Sequence, residues 1–159
     1  MFQALNLPIA DLKLVRKSEQ VFVWCIIRKK QLLLTPEEWV RQHIIHYLIS
    51  EKRVPIALIA AEMAIEVNKL SRRCDIVVFG KDSKPLLIIE CKAPGVAMTE
   101  KVFNQIAQYN FKLNVDLLMM TNGIDHVVCS INREKHALNY LQDLPVWEDG
   151  LWDIKTLGL

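Results

Sequence analysis

The chain lacks the features that would place it outside the ordinary interior of a cell. Its four cysteines, Cys25, Cys74, Cys91 and Cys129, are scattered with no Cys-x-x-Cys pair. That argues against a zinc site or a disulfide framework. Met1–Ala10 lacks the basic start and long apolar stretch of a secretory signal. The apolar runs are all too short to span a bilayer. No linker, internal repeat or low-complexity segment breaks the chain. No Gly-x-x-x-x-Gly-Lys-Ser/Thr loop is present either, so a nucleotide-driven motor would have to lie on another chain. These absences lead us to expect a cytoplasmic protein with no membrane segment.

What is present is one domain's worth of globular sequence. The 159 residues are 52% hydrophobic and 24% charged, enough to bury a real core. A net charge of +2 neither demands nor excludes nucleic acid. Basic residues cluster at Arg28-Lys29-Lys30 and at Lys69, Arg72 and Arg73. Such short runs are usually solvated turns and gain meaning only beside a site.

The most informative stretch is Leu86-Leu87-Ile88-Ile89-Glu90-Cys91-Lys92, followed by Ala93-Pro94-Gly95. A continuous apolar run closed by Pro and Gly reads as a strand buried on both faces. Alternation then points Glu90 and Lys92 the same way from its end. Buried charges need a partner or a metal, so the Glu-x-Lys end requires either chemistry or a salt bridge.

The rest of the chain builds around that strand. Leu12–Val15 and Gln20–Ile27 suggest an N-terminal hairpin, and residues 1–34 form an extension before the core at 35–131. Thr35-Pro36-Glu37-Glu38 reads as a capping box opening a helix to about Ser50, with Val40, Ile44, Tyr47 and Leu48 on its buried face. Glu37 and Arg41 can add a weak contact on that helix. A short helical turn is expected from Pro55 to Ile59. Met63, Ile65 and Val67 then alternate with polar or small residues as a half-exposed strand, although Ala57–Ala64 can also extend a helix.

Asn68–Ser71 is a turn. Cys74–Phe79 is the next strand, placing Asp75, Val77 and Phe79 on one face. Gly80–Pro85 is a hairpin loop that brings Asp75 beside Glu90. Thr99 opens a second helix carrying Val102, Gln105, Ile106 and Tyr109. Val115–Met120 and His126–Ile131 are strands joined through Asn122-Gly123. The tail, 132–159, is expected to pack back on the core with Trp147 and Trp152. The fold class is α/β, a mixed central sheet flanked by helices.

Two neighbouring carboxylates repel unless a cation neutralises them. Mg²⁺ suits that role, since it binds through one or two carboxylates, keeps waters and accepts phosphate oxygens. The Cys91 backbone carbonyl would point to the same ion, and Lys92 would position a water or stabilise charge on the phosphate. The competing reading is an ion pair that simply closes a strand end. His43 and His46 share a helix, but lacking nearby ligand partners they read as packed or surface histidines.

Arg73-Cys74-Asp75-Ile76-Val77-Val78, then Leu87-Ile88-Ile89-Glu90-Cys91-Lys92-Ala93-Pro94, resembles the PD-(D/E)xK nuclease signature. More narrowly, with the Thr35–Arg41 helix start and Gln105-Ile106-Ala107-Gln108-Tyr109, the order resembles the N-terminal nuclease domain of type I restriction enzyme R subunits. The resemblance spans roughly Leu34 to Ile131, with Cys74 standing where the signature's name has Pro. It implies a restriction-endonuclease-like fold and DNA cleavage dependent on Mg²⁺, for which Mn²⁺ can substitute.

It also assigns roles. Asp75, Glu90 and Lys92 would be catalytic, with Asp75, Glu90, the Cys91 carbonyl and Glu38 at the metal. Gln105, Tyr109, Arg73 and Arg41 are the candidates for contact with DNA or for ordering the site. The partners implied are DNA and other subunits of a restriction–modification complex. The alternative is a non-catalytic nuclease-like module that binds nucleic acid or protein, and a third reading is a structural domain with an ion-paired core.

Overall fold

The computed structural model describes residues 2–67, 70–101, 103, 104, 107, 115–132, 134, 135, 137–148, 151 and 152. The helix start is written as the sequence suggests. Pro36 occupies the first turn of α1 (Pro36–Ser50), and Thr35 Oγ1 accepts the Glu38 N–H at 3.1 Å. The reciprocal half of a capping box is not made. The Thr35 N–H donates to Leu33 O instead, leaving the Glu38 carboxylate to act elsewhere.

Val40, Ile44, Tyr47 and Leu48 are buried as their spacing requires. Each fully buried aliphatic side chain of this kind contributes about 1.5–3 kcal/mol. They pack on one face of a six-stranded sheet made of β4 (Ile59–Val67), β5 (Leu70–Phe79), β6 (Pro85–Cys91), β7 (Leu117–Thr121), β8 (His126–Asn132) and β9 (Ala137–Leu141). The strands lie in that order. Only the β6–β7 pair is parallel, so the sheet is mixed.

Alternation divides β6 cleanly. Leu87, Ile89 and Cys91 join the α1 core, while Ile88 packs with Ile65, Cys74, Val77 and Val115 on the other side. In β7, Leu118 and Met120 likewise face Phe103 and Ala107. Glu100, Lys101, Phe103, Asn104 and Ala107 are helical, and the Phe103 N–H donates to Thr99 O at 3.0 Å. Val102, Ile106 and part of the Asn68–Ser71 turn lie outside the described residues.

The N-terminal hairpin is a three-stranded meander: β1 (Leu14–Lys17), β2 (Gln20–Cys25) and β3 (Lys30–Leu33), in that order. Arg28-Lys29 is a second reversal, with Lys29 at φ 51° and its N–H bonded to Cys25 O at 2.8 Å. Lys30 and Gln31 of β3 are exposed, which hides that strand from an apolar pattern. A 3₁₀ turn at Ile56–Leu58 precedes β4, so Ala60–Ala64 is strand and not helix.

The sheet continues past residue 131 into β9. Beyond it, β10 (Trp147–Glu148) and β11 (Leu151–Trp152) bring Trp147 and Trp152 edge-on into the α1 core. Asp143 secures this segment by accepting from Tyr47 Oη and from Lys52 Nζ at 2.6 Å. Burial works to raise the Asp143 carboxyl, and the bonds from Lys52, Tyr47 and the Leu144 N–H outweigh it, holding the group below its usual range.

Candidate active site

β5 and β6 pair Ile76 with Ile89, so the next step outward sets Asp75 opposite Glu90. Lys92 follows two residues beyond Glu90, half-buried, with its N–H donating to Thr121 O at 2.8 Å. Glu90 is 8% exposed and alternates to the side of Ile88. Asp75 does not simply follow Val77 and Phe79 onto one face as period-two spacing requires. Its Oδ2 accepts the Cys91 N–H at 2.8 Å, and its Oδ1 accepts from Arg41 Nη2 of α1 at 2.8 Å. The carboxylate thus bends across the end of β6 towards the helix.

A local break in the sheet permits this. β4 and β5 pair at Ala61–Ile76 and again at Met63–Cys74, and Glu62, which falls opposite Asp75, is skipped. Glu62 has φ 50°, a left-handed conformation that is unusual for a non-glycine residue in a strand. Such residues cost of order 1 kcal/mol or more and collect at functional sites. Spacing along the chain does not single out Glu62. Polar alternation on a half-exposed strand accounts for it fully, and only the register with Asp75 reveals it.

Arg41 is the centre of the charge network. It is 6% exposed and pairs with Glu38 within one helical turn, with Glu37 at 3.0 Å, with Asp75 at 2.8 Å and with Glu62 at 3.8 Å. Burial opposes its charge, but Asp75 and Glu38 outweigh that, leaving the guanidinium above its ordinary value. Gln42 Nε2 donates to the other Glu38 oxygen at 2.8 Å. Glu38 therefore serves Arg41 and Gln42 and not the helix cap. The contact expected of Glu37 and Arg41 is made at 3.0 Å, with the Glu37 side chain 44% exposed at the edge of the cluster and Arg41 buried within it.

Glu62 extends the network outwards. It pairs with Arg28 from the meander and with Arg73 at 3.0 Å. The Arg73 side chain is 69% exposed, so it borders the cluster while reaching solvent. The Cys91 thiol is pushed well up by burial, then by Asp75, with Arg41 opposing and Glu90 adding. Gln105 and Tyr109 lie outside the described residues.

His43 and His46 form no ligand set. His43 Nδ1 lies 2.9 Å from Trp39 O, and its ring meets the Trp39 indole edge-on. Among the described residues no three His, Cys, Asp or Glu groups gather around one ion-sized space. A metal at Asp75 and Glu90 would rest on that pair and on waters. This suits Mg²⁺, which takes hard oxygen donors and retains water. The donor chemistry fits, while the Arg41 guanidinium already neutralises Asp75 at Oδ1.

A family model described as type I restriction enzyme R protein N terminus matches residues 36–145. The matched segment runs from the first turn of α1 past β9 and contains every residue of the cluster except Arg28. None of the curated proteins compared matches the chain.

Proposed function

The chain belongs to the family of type I restriction enzyme R protein N termini, and on that footing we propose that it is a metal-dependent DNA endonuclease domain. The observation that supports this reading is the register of β5 on β6, Ile76 against Ile89, from which one further step along each strand brings Asp75 level with Glu90, with Lys92 two residues on. Asp75, Glu90 and the Cys91 carbonyl are the groups that would hold Mg²⁺ or Mn²⁺. Bound there, the ion would supply positive charge at a phosphate oxygen and a more acidic water.

The chain's own groups do the rest. Arg41 and the Cys91 N–H fix the Asp75 carboxylate from both oxygens. Fixed orientation of this kind is what lets a charged group act without reorganising during reaction. The Lys92 ammonium offsets negative charge developing on the phosphate. Arg73, exposed at the rim, meets the phosphate backbone as a point of attraction that carries no sequence information. The partners in this reading are DNA and, through the family, the other subunits of a restriction–modification complex in the cytoplasm. None of the described helices is long and apolar enough to cross a membrane.

A second reading has an observation of its own. Both Asp75 oxygens are already satisfied within the protein, as they would be in a nuclease-like module that binds nucleic acid or protein without cutting. Nicking of supercoiled plasmid separates the two. With Mg²⁺ or Mn²⁺ the wild type is expected to nick, with loss on adding EDTA. Asp75→Ala and Lys92→Ala are expected to lose roughly 100-fold or more, in line with removal of a group that stabilises transition-state charge. Equal activity in all three proteins, or none under any condition, leaves the binding module as the reading.

A further inference from the structure

The residues that follow Lys92 line a cavity that the charge network does not use. Its volume is about 420 Å³, and its walls are Phe2, Gln3, Pro36, Trp39 and the turn Ala93–Gly95. Three separate pieces of chain therefore meet there: the N-terminal segment, the first turn of α1 and the end of the β6 strand. The space falls in the range of small-molecule sites, which are mostly apolar with a few polar groups to orient the ligand.

Each wall is fixed by contacts of its own. Phe2 stacks on Trp39 with ring centroids 5.2 Å apart, and the Trp39 indole N–H donates to Gln3 O at 3.0 Å. Farther along, the Asn6 N–H donates to Gly123 O at 2.7 Å, tying the N-terminal segment to the β7–β8 turn. The Val96 N–H donates to Ala93 O at 3.0 Å, and Asn122 Nδ2 donates to Val96 O at 3.0 Å, holding the turn closed. The two acidic residues beside Trp39, Glu37 and Glu38, both pair with Arg41. The pocket is thus pre-formed, aromatic and apolar.

We propose that this pocket receives a nucleobase from an unpaired stretch of the substrate strand. The proposal rests on the nuclease reading and names a contact within it. A nucleobase is a flat ring with a polar rim, joined through its sugar to the phosphate that a cleavage site must hold. Ala93–Gly95 follows Lys92 directly in the chain, so a wall of the pocket begins one residue beyond the proposed catalytic lysine. Aromatic side chains stack on bases of any sequence, each stack being worth about 1–3 kcal/mol by truncation. The pocket would then favour unpaired over duplex nucleic acid without reading sequence.

The test is fluorescence anisotropy of the full chain in EDTA, with a labelled single-stranded oligonucleotide and an abasic strand of equal length and charge. The wild type is expected to bind the base-bearing strand about 10-fold or more tightly. Trp39→Leu and Phe2→Ala are expected to abolish that preference while leaving the salt dependence unchanged, since the phosphate contacts remain.

Gly95→Leu guards against a misfolded Trp39 variant. A Cβ at Gly95 meets nothing within 4 Å, so the fold accommodates a larger side chain at this wall of the pocket. It is expected to remove base preference just as Trp39→Leu does. Equal binding of both strands by the wild type, no binding of either, or preference that survives all three substitutions overturns the proposal. So does an apolar dye that the pocket takes up and a mononucleotide never displaces, which assigns the space to an apolar partner. Plasmid nicking without base preference removes this proposal alone, whereas base preference without nicking removes the nuclease reading alone.

Discussion

Arg41 of α1 donates to Asp75 Oδ1 of β5 at 2.8 Å, joining a helix and a strand that lie 34 positions apart in sequence. The contact fixes one end of the sheet under the helix and gives the Asp75 carboxylate its direction. It also brings a permanent cation into a cluster of four carboxylates, Glu37, Glu38, Glu62 and Asp75. Removing one member of a buried pair costs more than the pair is worth, because the others stay behind without compensation.

Arg41→Ala is therefore expected to destabilise the fold by about 3–5 kcal/mol, the range for stranding buried charge. Arg41→Lys keeps the charge but not the planar fork that reaches two carboxylates at once, and should fall between Ala and wild type. Urea unfolding measures both. An Arg41→Ala protein as stable as wild type would show that the cluster is solvated and weakly coupled.

Glu62 offers a separate handle on backbone strain. At φ 50° the side chain is disfavoured by roughly 1–2 kcal/mol relative to a residue without a Cβ. Glu62→Ala loses the ion pairs to Arg28 and Arg73 and keeps the strain, whereas Glu62→Gly loses the same pairs and relieves it. The Gly variant is expected to be the more stable of the two by about 1 kcal/mol. In an ordinary strand the order would be reversed, so the sign of the difference decides.

The contrast between Glu62 and Glu90 shows what sequence can carry. Glu90 ends an unbroken apolar run and is conspicuous from its neighbours along the chain alone. α1 is as plain, because Thr35, Pro36 and the apolar spacing from Val40 to Leu48 all agree. The mixed sheet follows from the strand runs and the long crossover between β6 and β7. β3 is hidden because Lys30 and Gln31 face solvent, and the Glu38 side chain because two roles suit the same position. The direction of Asp75 is illegible for another reason. It depends on a skipped ladder position at Glu62, and register between strands is a property of the pair, not of either stretch.

Two histidines of α1, His43 buried and His46 half-buried, give the fold a pH dependence. Burial lowers the His43 pKa against the pull of the Trp39 carbonyl. Burial and then His43 lower that of His46, with Asp11 opposing. A depressed histidine pKa means that the unfolded chain binds the proton more readily. Stability is therefore complete above the unfolded value of about 6.5 and declines as pH falls below it towards the folded values. Urea midpoints are expected to drop between pH 7.5 and pH 5, and His43→Gln should flatten part of that fall. A midpoint that holds or rises over this interval contradicts the assignment.

Gly123 tests whether the N-terminal segment is part of the fold or only lies on it. It sits at φ 83°, and a Cβ there would meet Leu5 Cδ2 at 2.7 Å and Val40 Cγ2 at 3.1 Å. Its carbonyl accepts the Asn6 N–H at 2.7 Å, and the neighbouring His126 Nε2 lies 2.9 Å from Asn6 O. Gly123→Ala combines a left-handed backbone with a contact that Leu5 must vacate. It is expected to cost more than about 1 kcal/mol. Because Leu5 belongs to the segment that carries Phe2 and Gln3, the same substitution should loosen the aromatic pocket. Hydrogen exchange at the Asn6 and Trp39 indole protons reads this directly. Protection kept at both protons despite lower global stability would mean that the segment is held by Trp39 alone.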